Sequence, residues 1–320
     1  MWHQPDWIRA LGERAWWVIA AGERIAVLIG PSRALPGHLL ARVPRLSLEG
    51  DPRAIEEALR ALAGHAHRHR QLLRLNVELF SPVPARHDQF GAVLGALGFT
   101  PVERPMNYTH TIAMDVTVGE ERLFESLHAT ARRHIRTVGK RPVEVRLVSD
   151  PAVEGRMNDL LRETMRRTGG GFHAQPWERM IGFANEYPDQ ARIVGLWRKD
   201  RPGSDALSAY ALGLRHDDNV EYSVAASARE EDLRMPLGYA LAWDLIGWAG
   251  RVGARWFDFG GVREDAEDRD PTQGISDFKR YFSTNVIRVG SEWVLEPRPA
   301  RAAVARAVTR LASVFRRRGG

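Results

Sequence analysis

Apolar and polar residues alternate along the chain in segments that predict strands and helices in regular succession. Trp16–Ala20 and Ile25–Ile29 are apolar, β-branched runs that predict a hairpin turning at Ala21–Arg24. Residues 51–70 predict a helix, because the segment starts with Asp-Pro and repeats apolar residues at helical spacing. The remaining elements predicted before residue 141 are a strand over Leu73–Phe80, a helix over Phe90–Leu97, a strand over Asn107–Asp115 and a helix over Glu120–Lys140.

The second half repeats this order of elements. Strands are predicted over Val143–Val148, Ala191–Trp197, Leu207–His216, Asn219–Ala226, Trp256–Phe259 and Val286–Val294. Helices are predicted over Val153–Arg167, Pro176–Glu186 and Pro236–Val252. Helices between strands, with antiparallel hairpins among them, predict an α/β protein with a mixed sheet in each half. We expect a first domain over residues 1–145 and a second over 146–297.

The tail, residues 298–320, predicts an amphipathic basic helix. Val304, Val308, Leu311 and Phe315 recur at helical spacing, and six arginines surround them. Such a helix could pack on the first domain and keep its polar face in water, or it could contact a membrane surface or RNA. The pattern favours packing.

Composition narrows the functional classes. The 320 residues are 44% hydrophobic and 27% charged, which is typical of a soluble globular protein with room for two domains. The chain has no cysteine, which excludes disulfides, thiolate metal sites and cysteine nucleophiles. No signal peptide or membrane span is predicted, so we expect a cytoplasmic protein. The net charge of +6 is compatible with a polyanionic partner such as nucleic acid, a nucleotide diphosphate or lipid headgroups.

Metal and cofactor chemistry have little support in the sequence. His65, His67 and His69 alternate near the end of a predicted helix, but no carboxylate or cysteine completes a ligand set. We therefore predict a solvent-facing helix end, no metal site and no cofactor. Lysine occurs only at Lys140, Lys199 and Lys279, in a chain whose other cations are arginines. Since arginine does not replace a compact, titratable ammonium, this bias draws attention to Lys279.

Four segments carry candidate chemistry, and two of them offer anion sites. Arg132 and Arg133 lie on a predicted basic helix, where guanidinium groups suit phosphate; a solvated helix face is the alternative. Tyr222 and Arg229 belong to the strand and turn that precede a helix starting near Gly238. The free N–H groups of such a helix start can bind an anion, as the coenzyme A loop of acetyltransferases does. Arg234 precedes Gly238 by four positions, one away from that loop's spacing.

The other two segments lie near the end of the second domain. Asp258 interrupts a short apolar strand before Gly260 and Gly261, which free the backbone for positive φ or a close approach. Asp258 could act as a base or positioning group, or it could hold the double-glycine turn. Phe278 and Lys279 follow in the sequence SDFKRYF, where a fixed ammonium could stabilise the oxyanion of an acyl transfer.

Together these segments resemble the Fem peptidyltransferases of the acyl-CoA N-acyltransferase (GNAT) superfamily. The resemblance rests on TARRHIRTVGKRPVEV, on Tyr222 to Arg229, on WFDFGG and on FKRYF, and it is strongest from residue 120 to 296. It implies two GNAT-like domains facing each other across a cleft. It also implies transfer of an aminoacyl group from charged tRNA to an amine of a peptidoglycan precursor. Lys279 would then stabilise the oxyanion or the RNA end with Phe278 beside it, and no covalent enzyme intermediate is needed.

Several positions depart from the family pattern on the expected acceptor side. Arg45-Leu46-Ser47 replaces a usual Arg-Gly-Pro, no arginine follows Phe172, and Tyr281 stands where many members have glycine. The acceptor is therefore left open among a nucleotide- or lipid-linked peptide precursor and a small peptide-like metabolite. Two other functions stay open: an acyl-CoA-dependent N-acyltransferase, and a non-catalytic binding protein of an envelope or polysaccharide pathway.

Overall fold

The chain folds into two units, each built around one mixed β-sheet with helices packed on it. The structure is a computed structural model and describes residues 1–262 and 273–318. The first unit comprises Trp2–Arg9, Glu13–Thr109 and Arg288–Gly320. The second unit comprises Met1, Ala10–Gly12 and His110–Ile287. The predicted mixed α/β class is confirmed.

The described elements follow the predicted alternation closely. The strands are β1 (Arg14–Ala20), β2 (Glu23–Pro31), β3 (Leu39–Ser47), β4 (Leu72–Phe80), β5 (Thr100–Pro101), β6 (His110–Asp115), β7 (Val143–Leu147), β8 (Ala191–Arg198), β9 (Leu207–His216), β10 (Asn219–Ser227), β11 (Trp256–Gly261), β12 (Val286–Arg288) and β13 (Gly290–Leu295). The helices are α1 (Pro5–Leu11), α2 (Pro52–Arg68), α3 (Pro84–Ala96), α4 (Glu120–Ser126), α5 (Ala129–Thr137), α6 (Glu154–Thr168), α7 (Trp177–Glu186), α8 (Gly238–Arg251), α9 (Gln273–Arg280) and α10 (Pro299–Arg318).

The sheet of the first unit has the strand order β1-β2-β3-β4-β13-β5. The predicted hairpin joins β1 to β2, and Ala21 and Gly22 at its turn take φ values of 49° and 80°. Such positive φ values at both central residues suit the twist of a two-residue hairpin. Strands β3 and β4 are parallel, since α2 lies between them in the chain. The apolar face of α2, with Leu59 and Leu62, lies in the core of this unit.

The sheet of the second unit has the strand order β12-β6-β11-β10-β9-β8-β7. Its neighbours β10 and β11 are parallel, whereas β8, β9 and β10 form an antiparallel meander. The turn between β9 and β10 contains Asp217 at a φ of 53°. Helix α8 packs on the sheet, and its Leu245 and Ile246 share a core with Phe257 and Phe259 of β11.

The division between the units differs from the predicted boundary at residues 145 and 146. It falls between Thr109 and His110, and again between Ile287 and Arg288. The chain enters the second unit at His110 because β6 pairs with β11 and α5 packs against α8, all within that unit. The chain returns to the first unit at Arg288 because β13 pairs with β4, a strand from early in the sequence. Periodicity identifies a strand but carries no information about which sheet that strand joins.

Two predicted elements are divided in the structure. The helix over Glu120–Lys140 divides into α4, α5 and a 3₁₀ turn, because Leu127 is extended and buried between the helices. The strand over Val286–Val294 divides into β12 and β13, which join different sheets. Strand β3 and helix α1 were not predicted. Residues 263–272, which include the beginning of the fourth chemical segment, lie outside the described residues.

Helix α10 packs on the first unit at its start. Ala302 is buried, and Arg298 donates hydrogen bonds of 2.8 and 3.1 Å to the carbonyl oxygens of His69 and His67. Its side chains from residue 312 onward lie outside the described residues. None of the helices in the described ranges combines the length and apolar character needed to cross a membrane.

Candidate active site

The two parallel strands of the second sheet, β10 and β11, run together briefly and then separate. In the described part of the chain, their last pair is Glu221 with Asp258. Just beyond it, β10 shifts register against β9 between Tyr222 and Val224, and β11 shifts against β6 where Gly260 has a φ of 72°. Bulges bend the strands that contain them. The pairing of β10 with β11 ends here, and the region just beyond the Glu221–Asp258 pair is called the β10–β11 notch.

Lys279, in the last turn of α9, places its ammonium at the end of β11. Nζ donates a hydrogen bond of 2.6 Å to the carbonyl oxygen of Gly261, and the residue is only 7% exposed. Burial lowers the pKa of Lys279 to about 8, against the opposing attraction of Asp258 and Glu221. At neutral pH the side chain is therefore mainly protonated. A buried ammonium in this position can stabilise negative charge on a reacting oxygen.

Asp258 holds the turn that follows it. Its carboxylate accepts a hydrogen bond of 2.6 Å from the N–H of Gly260 and another from the hydroxyl of Thr111. The Thr111 oxygen also lies 2.9 Å from the carbonyl oxygen of Gly260. These contacts fix Gly260 in its left-handed conformation and so orient the Gly261 carbonyl toward Lys279. Of the two roles considered for Asp258, the geometry favours the turn, with an electrostatic contribution to the ammonium.

Aromatic side chains fix α9 against the start of α8. The Phe278 ring lies 4.9 Å from Tyr239 and 5.3 Å from Phe282, centroid to centroid, and 6.3 Å from Tyr222. It also covers Gly238, where a Cβ would stand 3.5 Å from the ring. Burial raises the pKa of Tyr222 and raises that of Tyr239 to about 12, so both phenols stay neutral donors near pH 7. Phe278 thus positions the helix that carries Lys279.

An ion-pair network holds the segment between β10 and α8. Glu230 accepts from Arg198 at 2.9 Å, from Arg201 at 2.8 Å and from the Ser208 hydroxyl at 2.8 Å. Arg198, which is 5% exposed, also pairs with Asp200 at 2.5 Å. Removing one member of a buried network leaves an uncompensated charge. The network therefore ties this segment to β8 and β9 and fixes the approach to the first turn of α8.

The three arginines predicted to bind substrate are not brought to Lys279 by any contact in the described ranges. Arg132 donates hydrogen bonds of 2.6 Å to the carbonyl oxygens of Glu125 and Leu127. It therefore caps the end of α4, and its contact with a phosphate stays a prediction. Arg133 and Arg229 are exposed, and their roles stay predictions.

Two residues of the site were missed in the sequence. Glu221 is 5% exposed and lies opposite Asp258 on the neighbouring strand; its Oε2 is 4.0 Å from Nε2 of His216. In the sequence, Glu221 could have been recognised as a charged residue within the apolar run that forms β10. Thr111 is fully buried, and nothing in its sequence surroundings distinguishes it from other strand threonines.

The first unit contains a second buried polar cluster at the end of β4. Glu78 and Glu292 are cross-strand partners, 5% and 4% exposed. Asn107 donates a hydrogen bond of 2.8 Å to Glu78, whose pKa is raised by burial. Arg45, with a φ of 40°, places its guanidinium 4.5 Å from the centroid of the Tyr108 ring. Arg45, which agrees with the arginine of the family pattern, is thus a buried structural cation here.

Metal ligation finds no support in the described ranges. No group of three histidine, cysteine, aspartate or glutamate side chains among residues 1–262 and 273–318 could hold an ion. His65 and His69 instead pack together with ring centroids 4.4 Å apart, and His69 stacks on Trp16 at 4.0 Å.

Comparison with known proteins places this site in an acyltransferase domain. Residues 125–280 match the family model of the acetyltransferase (GNAT) domain, a range that includes both strands of the notch, Phe278 and Lys279. No curated protein matches the chain. The resemblance to the GNAT superfamily expected from the sequence is confirmed over residues 125–280.

Solved structures show the fold of the whole chain. FemX matches with a TM-score of 0.72 at 14% identity, over 95% of this chain and 94% of FemX. L-PGS from Bacillus licheniformis matches with a TM-score of 0.52 at 13% identity, over 94% of this chain and 90% of that one. The C-terminal domain of an Agrobacterium fabrum protein described as a lysylphosphatidylglycerol synthetase matches with a TM-score of 0.53 at 13% identity, over 96% and 90%. The chain therefore has a FemX-like fold.

Proposed function

We propose that this protein is an aminoacyltransferase that forms an amide between an aminoacyl group carried by tRNA and an amine. The observation that carries the proposal is the buried Lys279 ammonium, held by the Gly261 carbonyl beside the β10–β11 notch of a GNAT domain. The family resemblance implies an ammonium that stabilises an oxyanion, and such a group acts best when it is shielded from bulk water, as Lys279 is. The FemX-like fold supports the same class of reaction.

The chemistry requires little beyond orientation and charge stabilisation. The acceptor nitrogen attacks the carbonyl carbon of the aminoacyl ester, and negative charge develops on the carbonyl oxygen. Lys279 stabilises that oxygen through a second N–H of its ammonium. The ester C–O bond then breaks, the ribose oxygen leaves with a proton from the attacking nitrogen, and the amide remains. Since the ester is already activated, no enzyme-bound acyl intermediate is required.

The contacts at the start of α8 are the evidence that bears on the donor. A coenzyme A pyrophosphate would bind the free N–H groups of that first turn. Here the Phe278 ring covers Gly238, and Tyr239 is buried beneath it. This covering favours a donor that does not place a pyrophosphate there, such as the end of a charged tRNA. An acyl-CoA donor remains the second candidate, because the β10–β11 notch is suited to an extended acyl-carrying arm.

The acceptor is an amine in a precursor of the cell envelope or in a peptide-like metabolite. Lysylphosphatidylglycerol synthetases are named for an aminoacylated lipid, and one structure with that description shares the fold of this chain. We therefore include a lipid-linked acceptor alongside nucleotide-linked peptidoglycan precursors. A charged-tRNA donor implies action in the cytoplasm, with the envelope precursor presented on that side.

Parallel transfer assays test the proposal. Purified protein is incubated with a labelled pool of charged tRNA or with labelled acetyl-CoA, each with nucleotide-linked and lipid-linked peptide acceptors. We expect label to reach the acceptor from tRNA, and to be lost in Lys279→Ala. Transfer from acetyl-CoA alone would replace the proposed donor. Binding without transfer, unchanged in Lys279→Ala, would establish the binding-protein alternative.

A further inference from the structure

Helix α10 exposes an apolar stripe on the side that faces away from the first unit. Val304 is 53% exposed, Val308 41% and Leu311 60%. At about 100° per residue these three positions fall within roughly 60° of helix circumference. Ala302, which is buried, lies on the opposite side. An apolar stripe that the protein itself leaves uncovered is suited to another apolar phase.

The charge of α10 is entirely positive. The helix carries six arginines and no acidic residue. Arg301 lies beside the apolar stripe by helical spacing, Arg310 lies toward the opposite side of the helix, and both are exposed. This combination of an apolar stripe with basic residues on the same helix is characteristic of helices that lie in the headgroup region of an anionic bilayer.

A basic groove runs along the inner side of the same helix. It has a volume of about 550 Å³ and is bounded by α10, by β4 and by the segment after β2. Arg33, Arg74, Arg306 and Arg310 line it, with Glu296 as its acidic residue, so positive charge exceeds negative by three. Glu296 pairs with Arg74 at 3.5 Å and also with Arg306. Arg33 remains exposed at the opening.

We propose that α10 docks on an anionic phospholipid bilayer through its apolar stripe. Val304, Val308 and Leu311 enter the interface between headgroups and acyl chains, and Arg301 at the edge of the stripe pairs with lipid phosphates. The groove arginines on the other side of α10 add attraction at longer range. The charge excess selects anionic over neutral lipid, because basic residues near an anionic surface each contribute attraction within a Debye length. This inference is independent of the proposed chemistry, since it concerns only the first unit.

Vesicle co-sedimentation of the full chain tests the surface. The vesicles contain phosphatidylcholine alone or equal amounts of phosphatidylcholine and phosphatidylglycerol. We expect binding to the anionic vesicles, weakening as salt is raised, and little binding to the neutral ones. Equal binding to both, or binding to neither, would overturn the proposal.

Two variant sets separate the apolar from the electrostatic contribution. Val304→Ser with Val308→Ser and Leu311→Ser should weaken vesicle binding by about tenfold or more, because the interfacial apolar contact is lost. The matched control replaces three exposed apolar residues outside α10 and the groove: Ile19→Ser, Val83→Ser and Val118→Ser. The control should bind as the unaltered chain does. Equal weakening in both sets would contradict a specific role for α10.

The electrostatic set is Arg33→Gln with Arg310→Gln. Two basic residues near an anionic surface correspond to a loss of about thirtyfold at low salt and to a shallower salt dependence. Arg53→Gln with Arg104→Gln makes the same charge change outside the groove and should have a smaller effect. Aminoacyl transfer to a soluble acceptor should be unchanged in all four sets, which separates this surface from the active site. If the groove and stripe variants lose binding to tRNA and keep binding to vesicles, the surface is an RNA site and the lipid proposal fails.

Discussion

Lys279 offers the most decisive test of the site, because its ammonium should titrate far from the usual range of lysine. Its pKa is lowered from 10.5 to about 8 by burial. By the relation of about 1.4 kcal/mol per pKa unit, this difference amounts to about 3 kcal/mol against the charged form. The attraction of Asp258 and Glu221 offsets only part of the cost of desolvation. The ammonium is therefore held in an environment where its charge has a large effect on a nearby oxyanion.

The titration can be observed directly by NMR. Protein labelled with ¹³C-lysine should show three side-chain Cε signals, since the chain has three lysines. The signal lost in Lys279→Met belongs to Lys279, and we expect its shift to follow a pKa of about 8. Because the unfolded chain retains the proton up to about pH 10.5, the free energy of unfolding should gain up to about 3 kcal/mol between pH 8 and 10.5. That gain should be absent in Lys279→Met.

Activity should report the same group. The rate of transfer should rise with pH as the acceptor amine loses its proton, and fall above about pH 8 as Lys279 is neutralised. Lys279→Met should lower the rate by about a hundredfold to a thousandfold, the usual effect of removing an oxyanion donor. Lys279→Arg keeps a charge that does not titrate in this range, so the residual activity should lose the falling limb.

Lys199→Met provides the matched control, because it removes an exposed lysine of the same unit and should leave the rate and pH profile unchanged. A Lys279 signal that titrates near 10.5 would show a solvated ammonium and refute the electrostatic argument. Transfer by Lys279→Met within about threefold of the unaltered rate would equally refute its role, since an oxyanion donor is worth far more.

Further predictions concern the structure around the site. Arg132→Met should lower the free energy of unfolding by about 1–3 kcal/mol, because the carbonyl oxygens at the end of α4 lose a charged donor; a selective loss of tRNA binding at unchanged stability would instead support the phosphate role. Thr111→Val removes a donor to Asp258 and should cost about 1–3 kcal/mol in urea unfolding and lower the transfer rate; no change in either would show that the turn is held without it. Gly195→Ala should cost about 1–3 kcal/mol, because the new Cβ would stand 2.6 Å from a tryptophan nitrogen, whereas Gly30→Ala in an open strand position should cost much less; equal costs would contradict the packing argument.

Much of the fold could be predicted because its determinants are local. The β1–β2 hairpin depends on a two-residue turn with Gly22, and the β9–β10 hairpin on a turn at Asp217 that tolerates positive φ. Helix α2 depends on its Asp51 cap and on an apolar face of period 3.6. The GNAT-like character of the second unit followed from motifs within a single stretch of sequence.

Long-range partners could not be predicted in the same way. Glu221 gained its significance only when β10 and β11 became neighbours and set it opposite Asp258. This outcome depends on which elements pack together, a property that spacing along one element does not encode.

The sequence alone determined the succession of strands and helices, the mixed α/β class and the residue types available for acyl transfer, because periodicity, capping and turn chemistry act over a few residues. Tertiary structure alone decided that β6 and β13 join sheets formed mainly by the other half of the chain. It also decided that Lys279 is buried against Gly261. Burial and strand pairing are properties of surfaces brought together from distant parts of the chain, and the desolvation that makes this ammonium chemically distinctive exists only once those surfaces meet.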